Sequence, residues 1–562
     1  MVAGRQGSAP PESGPVFLHG VASADPTADG VVIWTRVSGA EPDETVPVRW
    51  TVARDPTLRQ PVATGDTEAR PDGDWTVHVD VAGLGPSDTW WYGFEARGQR
   101  SPTGRCRTAP APDDDREIRL GVVSCASYAA GKFVAYRHVA ERDLDLVVHL
   151  GDYLYEGQAP ESPRRHRGED DPVTLGDYRQ RHAQYKTDPD LQALHQQVAM
   201  AAIWDDHEVA GNAWSGGAAN HIPSRQGPWA PRRKAALRAY LEWVPLRRPD
   251  PDAVERIWRT LPLGGSGELI LVDTRHDGRD RQVSERLDDP EAALADDSRR
   301  IMSAEQEAWL TDRLRRVGGG WRVIANQVVL SPLRIRVPEP FVEPARALGP
   351  VVAGTVMNPD QWDGYPQSRR RLLDVVAAEE VGPVVVLTGD IHSSWAFDIP
   401  AGGEPGGAPV AVELVTPSVT SETFATIVGS PTGALAGALS AVITSQLSHV
   451  RWNETRHHGY VVVGLTPDRL QADWWHVEAV DGSTGGEALA ASWAVDAAVP
   501  RWQPAPGPLS DRPASVPLRP PGPPEPGEAG ETTAPQRWPY GFLGGLVLMA
   551  GGAILALRQR RG

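Results

Sequence analysis

Four apolar runs in this chain end in the same way, and that repetition constrains its fold more than any other feature. "GVVSCASY" carries Cys125, and "VVHLGDYLYEG" carries Asp152 and Tyr155. "AAIWDDHEVAGNAW" carries Asp205, Asp206, His207 and Asn212, and "VVVLTGDIHSSW" carries Asp390 and His392. Continuous aliphatic runs of this length read as strands buried on both faces, the kind found in parallel sheets. In an α/β sheet, ligands gather at the carboxyl ends of the strands, so polar residues placed there converge across long stretches of chain. Taken alone, Gly151-Asp152 is as well explained by a turn. Four such strand ends together point to a site.

Helical spacing recurs between the strands. It is present in "FVAYRHVAERD" (133–143) and in a helix capped by Ser303, with Gln306 at the capping-box position, running to about Val317. Further strands are expected in 267–275 and 321–330, and residues 410–480 return to β-rich text with a hairpin around "TPDRL". Strands alternating with helices make residues 111–499 an α/β domain. Residues 16–110 instead read as an all-β sandwich, built from "GVVIWTRV", "VPVRWTVARD" and "WTVHVDVAGL" with turn-rich text between them. Within it, "GLGPSDTWWYGFEA" is similar to the Leu-x-Pro turn of fibronectin-type sandwiches, with Trp90 where Tyr is usual. "APAPDDD" (109–115) is the connecting linker.

The two ends differ in kind. Residues 1–15 are expected to be disordered and show no charged segment followed by an apolar one, so no signal peptide is visible. Residues 500–537 form a Pro-rich linker. Residues 538–557 are apolar over a length that spans a bilayer. Trp538 and Tyr540 stand at one end of that segment and Arg558, Arg560 and Arg561 at the other, which puts the basic tail (558–562) in the cytoplasm. The expectation is a cell-membrane protein with an extracytoplasmic catalytic domain and a C-terminal transmembrane helix. The route of export is left open, and a removable sorting tail is a second reading of the same segment.

A formal net charge of −17 argues against nucleic-acid binding and suits a protein that holds cations. The two cysteines, Cys106 and Cys125, make no zinc-finger pattern; they could pair with each other or stay free. The residue types at the strand ends favour metal. A carboxylate can bridge two cations, and thiolate and phenolate favour an iron-type ion. Asn and Asp offer hard oxygens, and imidazole suits a transition metal. Two neighbouring cations can clamp a phosphate and activate water. On this reading Asp152 is the bridge and Tyr155 reaches the same metal.

Plainer roles stand beside these. Cys125 alone is more often a small buried hydrophobe, and Tyr155 alone a core residue. His207 could simply pair with its acidic neighbours, and Asp205 and Asp206 could orient other ligands. His149 reads as a core histidine, and the Trp residues of "DWWHV" as sheet packing. His457 and His458 are either neighbours of the site or part of a solvated loop.

The ordered set "FLHGVASADPTADGVVIWTRV", "SCAS", "GDYLYE", "DDHE…N" and "GDIH" resembles the PhoD-type alkaline phosphatases. These are a branch of the calcineurin-like metallophosphoesterases that also includes some phospholipases D. The resemblance covers roughly residues 16–480, and "MNPDQWDGYPQSRRRLL" (357–373) looks like the family's segment near the site. It implies a metallophosphoesterase four-layer α/β sandwich behind a fibronectin-like domain. It implies Fe³⁺ held by Cys125, Asp152, Tyr155 and His392, and Ca²⁺ held by Asp152, Asn212 and Asp390, with Mn²⁺, Mg²⁺ or Zn²⁺ as other occupants. A metal-bound hydroxide would attack phosphorus in line, with His207 protonating the leaving oxygen or binding phosphate. The substrates would be phosphate monoesters or diesters, either small molecules or phospholipid. The rival readings are a phospholipase D-like phosphodiesterase and a non-enzymatic cell-surface binding protein on a decayed esterase scaffold.

Overall fold

A computed structural model of the chain describes residues 14–157, 164–168, 170–248, 255–284, 289–316, 319–336, 351–352, 355–378, 381–427, 434–482 and 485–512. Its centre is a pair of stacked sheets. In the first, Leu146–His149 is wholly buried and pairs in parallel with Ile118–Val123 on one side and Met200–Ala202 on the other. Met200–Ala202 also pairs in parallel with Val21–Ala24. The N-terminal strands Val21–Ala24, Gly30–Arg36 and Thr76–Ala82 thus complete one ten-stranded sheet. Its other end is the antiparallel series Gly459–Thr466, Arg469–Val477, Glu487–Asp496 and Val499–Pro504. The hairpin expected around "TPDRL" is the turn between the first two of these.

The second sheet has seven strands, with Gly267–Leu271, Trp321–Ala325, Val384–Thr388 and Pro409–Val415 running parallel. The period-two geometry of a strand is visible in its burial. Leu269, Leu271, Val323, Ala325, Val385 and Leu387 pack inward against the first sheet, in one core with Leu120, Val122 and Val147. Ile270, Ile324, Val384 and Val386 face the other way, onto Leu310, Leu314, Leu372 and Leu373 of the helices Ala304–Arg315 and Pro366–Val376. Helices Val134–Ala140, Leu175–Tyr185 and Pro189–Gln197 cover the outer face of the first sheet, giving four layers. A five-stranded sheet containing Val46–Ala53, Pro61–Ala69 and Thr89–Ala96 completes the N-terminal β-region, and Val48, Val52 and Tyr92 join the main core.

Several expectations need correction. Residues 500–504 are not linker. Val499–Pro504 pairs with Glu487–Asp496 despite its prolines, and buried Trp502 ties it to the seven-stranded sheet, its indole donating to the Glu413 carbonyl at 3.2 Å. The strand expected in the apolar run before "DDHE" is only Met200–Ala202, because Gln197 closes a helix that Asp188 caps. Ser303 caps its helix as expected, accepting from the Gln306 N–H at 3.1 Å, but the capping box is not closed. The Gln306 side chain is drawn inward, donating to the Asp273 carbonyl and to Asp277 and accepting from the Asp273 N–H. The two cysteines are both free and buried. The 538–557 segment and the basic tail lie outside the described residues, as do residues 1–13. Among the described residues no helix is long and apolar enough to cross a membrane.

Candidate metal centre

The strand ends that converge are locally unusual. Cys125, Asp152, Asn212, Asp390 and His392 all have positive φ, between 51° and 63°. Asn, Asp and His tolerate this left-handed region better than most residues, but each such residue costs about 1–3 kcal/mol that the surrounding fold must offset. Gly151, just before Asp152, has φ +105°, and a Cβ there would lie 2.4 Å from Cβ of Asp205. The glycine lets the "GDYLYE" and "DDHE" turns approach closely. Buried Glu208 then ties them together. Its carboxylate accepts from the N–H groups of Asp152 (3.2 Å), Tyr153 (2.7 Å) and Asp205 (2.8 Å).

Cys125, Asp152 and His392 each offer a ligand atom, and the three atoms lie within 4.8 Å of one another. Tyr155 joins them: its hydroxyl donates to Asp152 Oδ2 at 2.8 Å and lies 3.1 Å from His392 Nε2. His392 Nδ1 bonds the Glu422 carbonyl at 2.8 Å, which fixes the proton there and leaves the Nε2 lone pair facing the cluster. Burial pulls the His392 imidazole down to about 4, so it is neutral at physiological pH. Burial, and then the Asp152 charge, push the Cys125 thiol and the Tyr155 phenol well above their ordinary values.

A second group lies alongside. Asp205, Asp206 and Asp390 also bring carboxylate oxygens within 4.8 Å of one another, and Asp152 forms a further such group with Asp206 and His207. Asp152 therefore belongs to groupings on both sides. The cationic partner within the chain is Arg275, which is wholly buried. It pairs with Asp205, with Asp360 at 2.8 Å and with Asp390 at 2.7 Å, and lies 3.8 Å from Asp206. Arg279 also pairs with Asp360, and Gln361 Nε2 donates to Asp390 Oδ2 at 2.7 Å. These two cations do not satisfy the cluster. Asp205 Oδ2 and Asp206 Oδ1 are buried without a hydrogen-bond partner. Burial raises Asp205 and Asp152 well above the carboxylate range and Asp390 to about 6. A buried carboxylate resists ionisation unless a positive charge sits beside it. The orphaned oxygens and the mixed thiol, phenol, imidazole and carboxylate set thus fit a bound metal ion.

His207 lies at the edge, half-buried, with its ring stacked on Tyr155. Its Nδ1 reaches Glu156 Oε2 at 2.6 Å, and Glu156 Oε1 accepts the Gly211 N–H at 2.7 Å. Asn212 joins through its backbone, its N–H donating to Asp206, while its side chain is exposed. His149 is a core histidine bonded to the Tyr136 hydroxyl at 2.7 Å. His458 bonds the Ser421 carbonyl, and His457 pairs with Glu454; neither belongs to the Asp152 groups. The 357–373 segment does reach the site, through Asp360 and Gln361. Sequence reasoning did not single out Glu156, Glu208 or Arg275. The first two stand inside motifs already quoted, and Arg275 ends the "GELILVDTR" strand text, so strand-end position was the available signal.

Known proteins match this chain along most of its length. The PhoD-like phosphatase family matches residues 120–474, and the PhoD-like phosphatase N-terminal domain matches residues 3–110. Alkaline phosphatase D of Bacillus subtilis (strain 168) is 33% identical over 489 residues, covering 83% of this chain and 78% of that protein. A solved structure of PhoD superposes with TM-score 0.77 at 29% identity, covering 91% of this chain and 95% of that one. A purple acid phosphatase from yellow lupin (Lupinus luteus) seeds shares the fold, with TM-score 0.50 at 12% identity over 85% of this chain and 73% of that one.

Proposed function

The chain belongs to the PhoD-like phosphatase family and is a metal-dependent hydrolase of phosphoric esters; from that premise we propose how its residues divide the work. Cys125, Asp152, Tyr155 and His392 hold an Fe³⁺ ion. Asp152 and Asp390, with Asp206 between them and Asn212 at the exposed rim, hold a Ca²⁺ ion. The observation that carries this reading is Asp152, which groups with Cys125 and His392 on one side and with Asp206 on the other. When bound, a metal pair supplies charge to clamp a phosphate and to activate water.

The chain's own residues do the rest. Glu208 fixes the backbone that presents Asp152. Arg275 and Gln361 hold Asp390 in place. His207, with Nδ1 committed to Glu156, keeps Nε2 to give a proton to the departing oxygen. The substrates are phosphate monoesters, diesters or both, and the apolar 538–557 segment anchors the chain with its catalytic part outside the cytoplasm. The anchoring reading rests on the sequence pattern alone.

The test combines metal analysis of the protein as isolated with turnover of a phosphate monoester, a phosphate diester and phosphatidylcholine, the last followed by choline release. Iron and calcium, together with turnover that Asp152→Asn abolishes, is the expected result. An Asp152→Asn protein as active as its parent would overturn the assignment. Choline release as the dominant reaction would make the protein a phospholipase D-like diesterase.

A further inference from the structure

The described chain holds one more group with metal-ligand chemistry, and it shares no residue with the Asp152 groups. Glu454, His457 and His476 each bring a donor atom within 4.8 Å of the other two. They arrive from different layers. Glu454 ends the edge strand Val450–Glu454 of the seven-stranded sheet, and His476 lies on Arg469–Val477 of the ten-stranded sheet. His457 stands in the loop three residues after Glu454.

Each donor is held in place by other contacts. The Glu454 carboxylate is anchored by the Arg456 side chain (Nε to Oε1, 2.7 Å) and by the N–H groups of Arg456 and His457 at 3.1 Å. Oε2, which accepts those two N–H groups, is also the oxygen turned to the histidines: His457 Nδ1 is 3.0 Å from it and His476 Nδ1 is 3.9 Å from it. His476 is buried, and its Nε2 bonds the Ser394 hydroxyl at 3.0 Å. A proton on Nε2 leaves the lone pair on Nδ1, on the Glu454 side. The two imidazoles are stacked, centroids 5.1 Å apart and planes 18° from parallel, which brings both rings to one carboxylate oxygen.

We propose that Glu454, His457 and His476 form a second metal site, of the two-imidazole, one-carboxylate type that suits Zn²⁺, and that an ion there clips the two sheets together. Zinc takes imidazole nitrogen and carboxylate oxygen at about 2.0–2.2 Å, commonly from three protein groups with a fourth position left for water. The donors here already lie within 4.8 Å of one another. The clip would lie beside the candidate centre, because Ser394, the partner of both His476 and (in strand register) Glu454, follows His392 by two residues.

The competing explanation is a metal-free His457–Glu454 ion pair. To separate the two, the full chain is stripped with a chelator and titrated with Co²⁺ as a spectroscopic probe. The comparison is with His457→Ala, an exposed loop position, and Glu454→Gln as a second variant. The expected result is one more Co²⁺ equivalent in the parent than in His457→Ala, with visible bands of a four-coordinate site that Asp152→Asn retains. Affinity at that equivalent should fall at least tenfold in both variants. Zn²⁺ should raise the thermal midpoint of the parent more than that of His457→Ala. Equal stoichiometry and superimposable spectra in parent and variants would overturn the proposal. So would bands lost in Asp152→Asn but kept in His457→Ala, since the ion would then belong to the Asp152 centre.

Discussion

His207 stacks on Tyr155, with ring centroids 4.2 Å apart and planes 27° from parallel. The contact places the one half-buried imidazole of the "DDHE" turn directly over a proposed iron ligand. Burial alone would pull its pKa down, but Glu156, Asp206 and Asp152 outweigh that and hold it well above the ordinary value. The imidazolium's stabilising contribution is therefore complete below about pH 6.5, its unfolded value, and is lost as pH rises through the raised folded value. Glu156→Gln removes the strongest raising interaction. We expect the alkaline limb of the kcat/KM profile to move to lower pH. A limb that stays in place would separate His207 from proton transfer.

Tyr155→Phe tests the iron directly. A phenolate bound to ferric iron absorbs visible light, so the iron-loaded protein should be coloured and the variant should lose that band. Without iron the phenol donates to Asp152 Oδ2, so its loss should also loosen Asp152 in the chelator-treated protein. An iron-loaded parent without a visible band would remove Tyr155 from the ligand set.

Arg275→Met leaves Asp205 and Asp390 without their buried guanidinium and Asp360 with Arg279 alone. Removing one partner of a buried pair typically costs about 3–5 kcal/mol, because the remaining charge is left unpaired. Urea unfolding of the chelator-treated protein should show a loss of that order. Added divalent cation should recover part of it, since cation and guanidinium neutralise the same carboxylates. A loss below about 1 kcal/mol would mean that the carboxylates are protonated already.

Gly151→Ala is predicted to damage the site more than the fold. The added methyl would sit 2.4 Å from Asp205 Cβ and 2.6 Å from its backbone nitrogen, and φ there is +105°. Either turn must move, and Glu208 can no longer bind the N–H groups of both. Bound metal per chain, measured with circular dichroism on the same samples, should drop at least severalfold while the spectrum is kept. Full metal content would show that the close approach is dispensable.

The convergence of Cys125, Asp152, Tyr155 and His392 was legible because apolar runs reveal buried parallel strands, and the polar residue after each run must then lie at one edge of the sheets. What pairs with those residues was not legible. Arg275 meets Asp205 from 70 positions away and Asp390 from 115, and no local pattern encodes such a contact. The left-handed backbone of Cys125 was hidden too, since that conformation usually announces itself through Gly, Asn or Asp. Asn212 was placed by its motif, but an exposed side chain and a backbone bond to Asp206 are details of the turn. The strand Val499–Pro504 was hidden by prolines that suggested linker, while one buried residue, Trp502, ties it to the neighbouring sheet.

The N-terminal strands add edge-on to Met200–Ala202, and Asp25 receives a buried two-pronged ion pair from Arg259, 234 positions away. The β-region is thus not a detachable module, although it has its own family match. Cutting the chain near residue 110 would bare the backbone of Met200–Ala202, which ends three positions before Asp205, and would leave Arg259 without its carboxylate partner. Grafting the metal centre onto another leader domain would require a donor whose last strand offers the same parallel pairing and the same carboxylate.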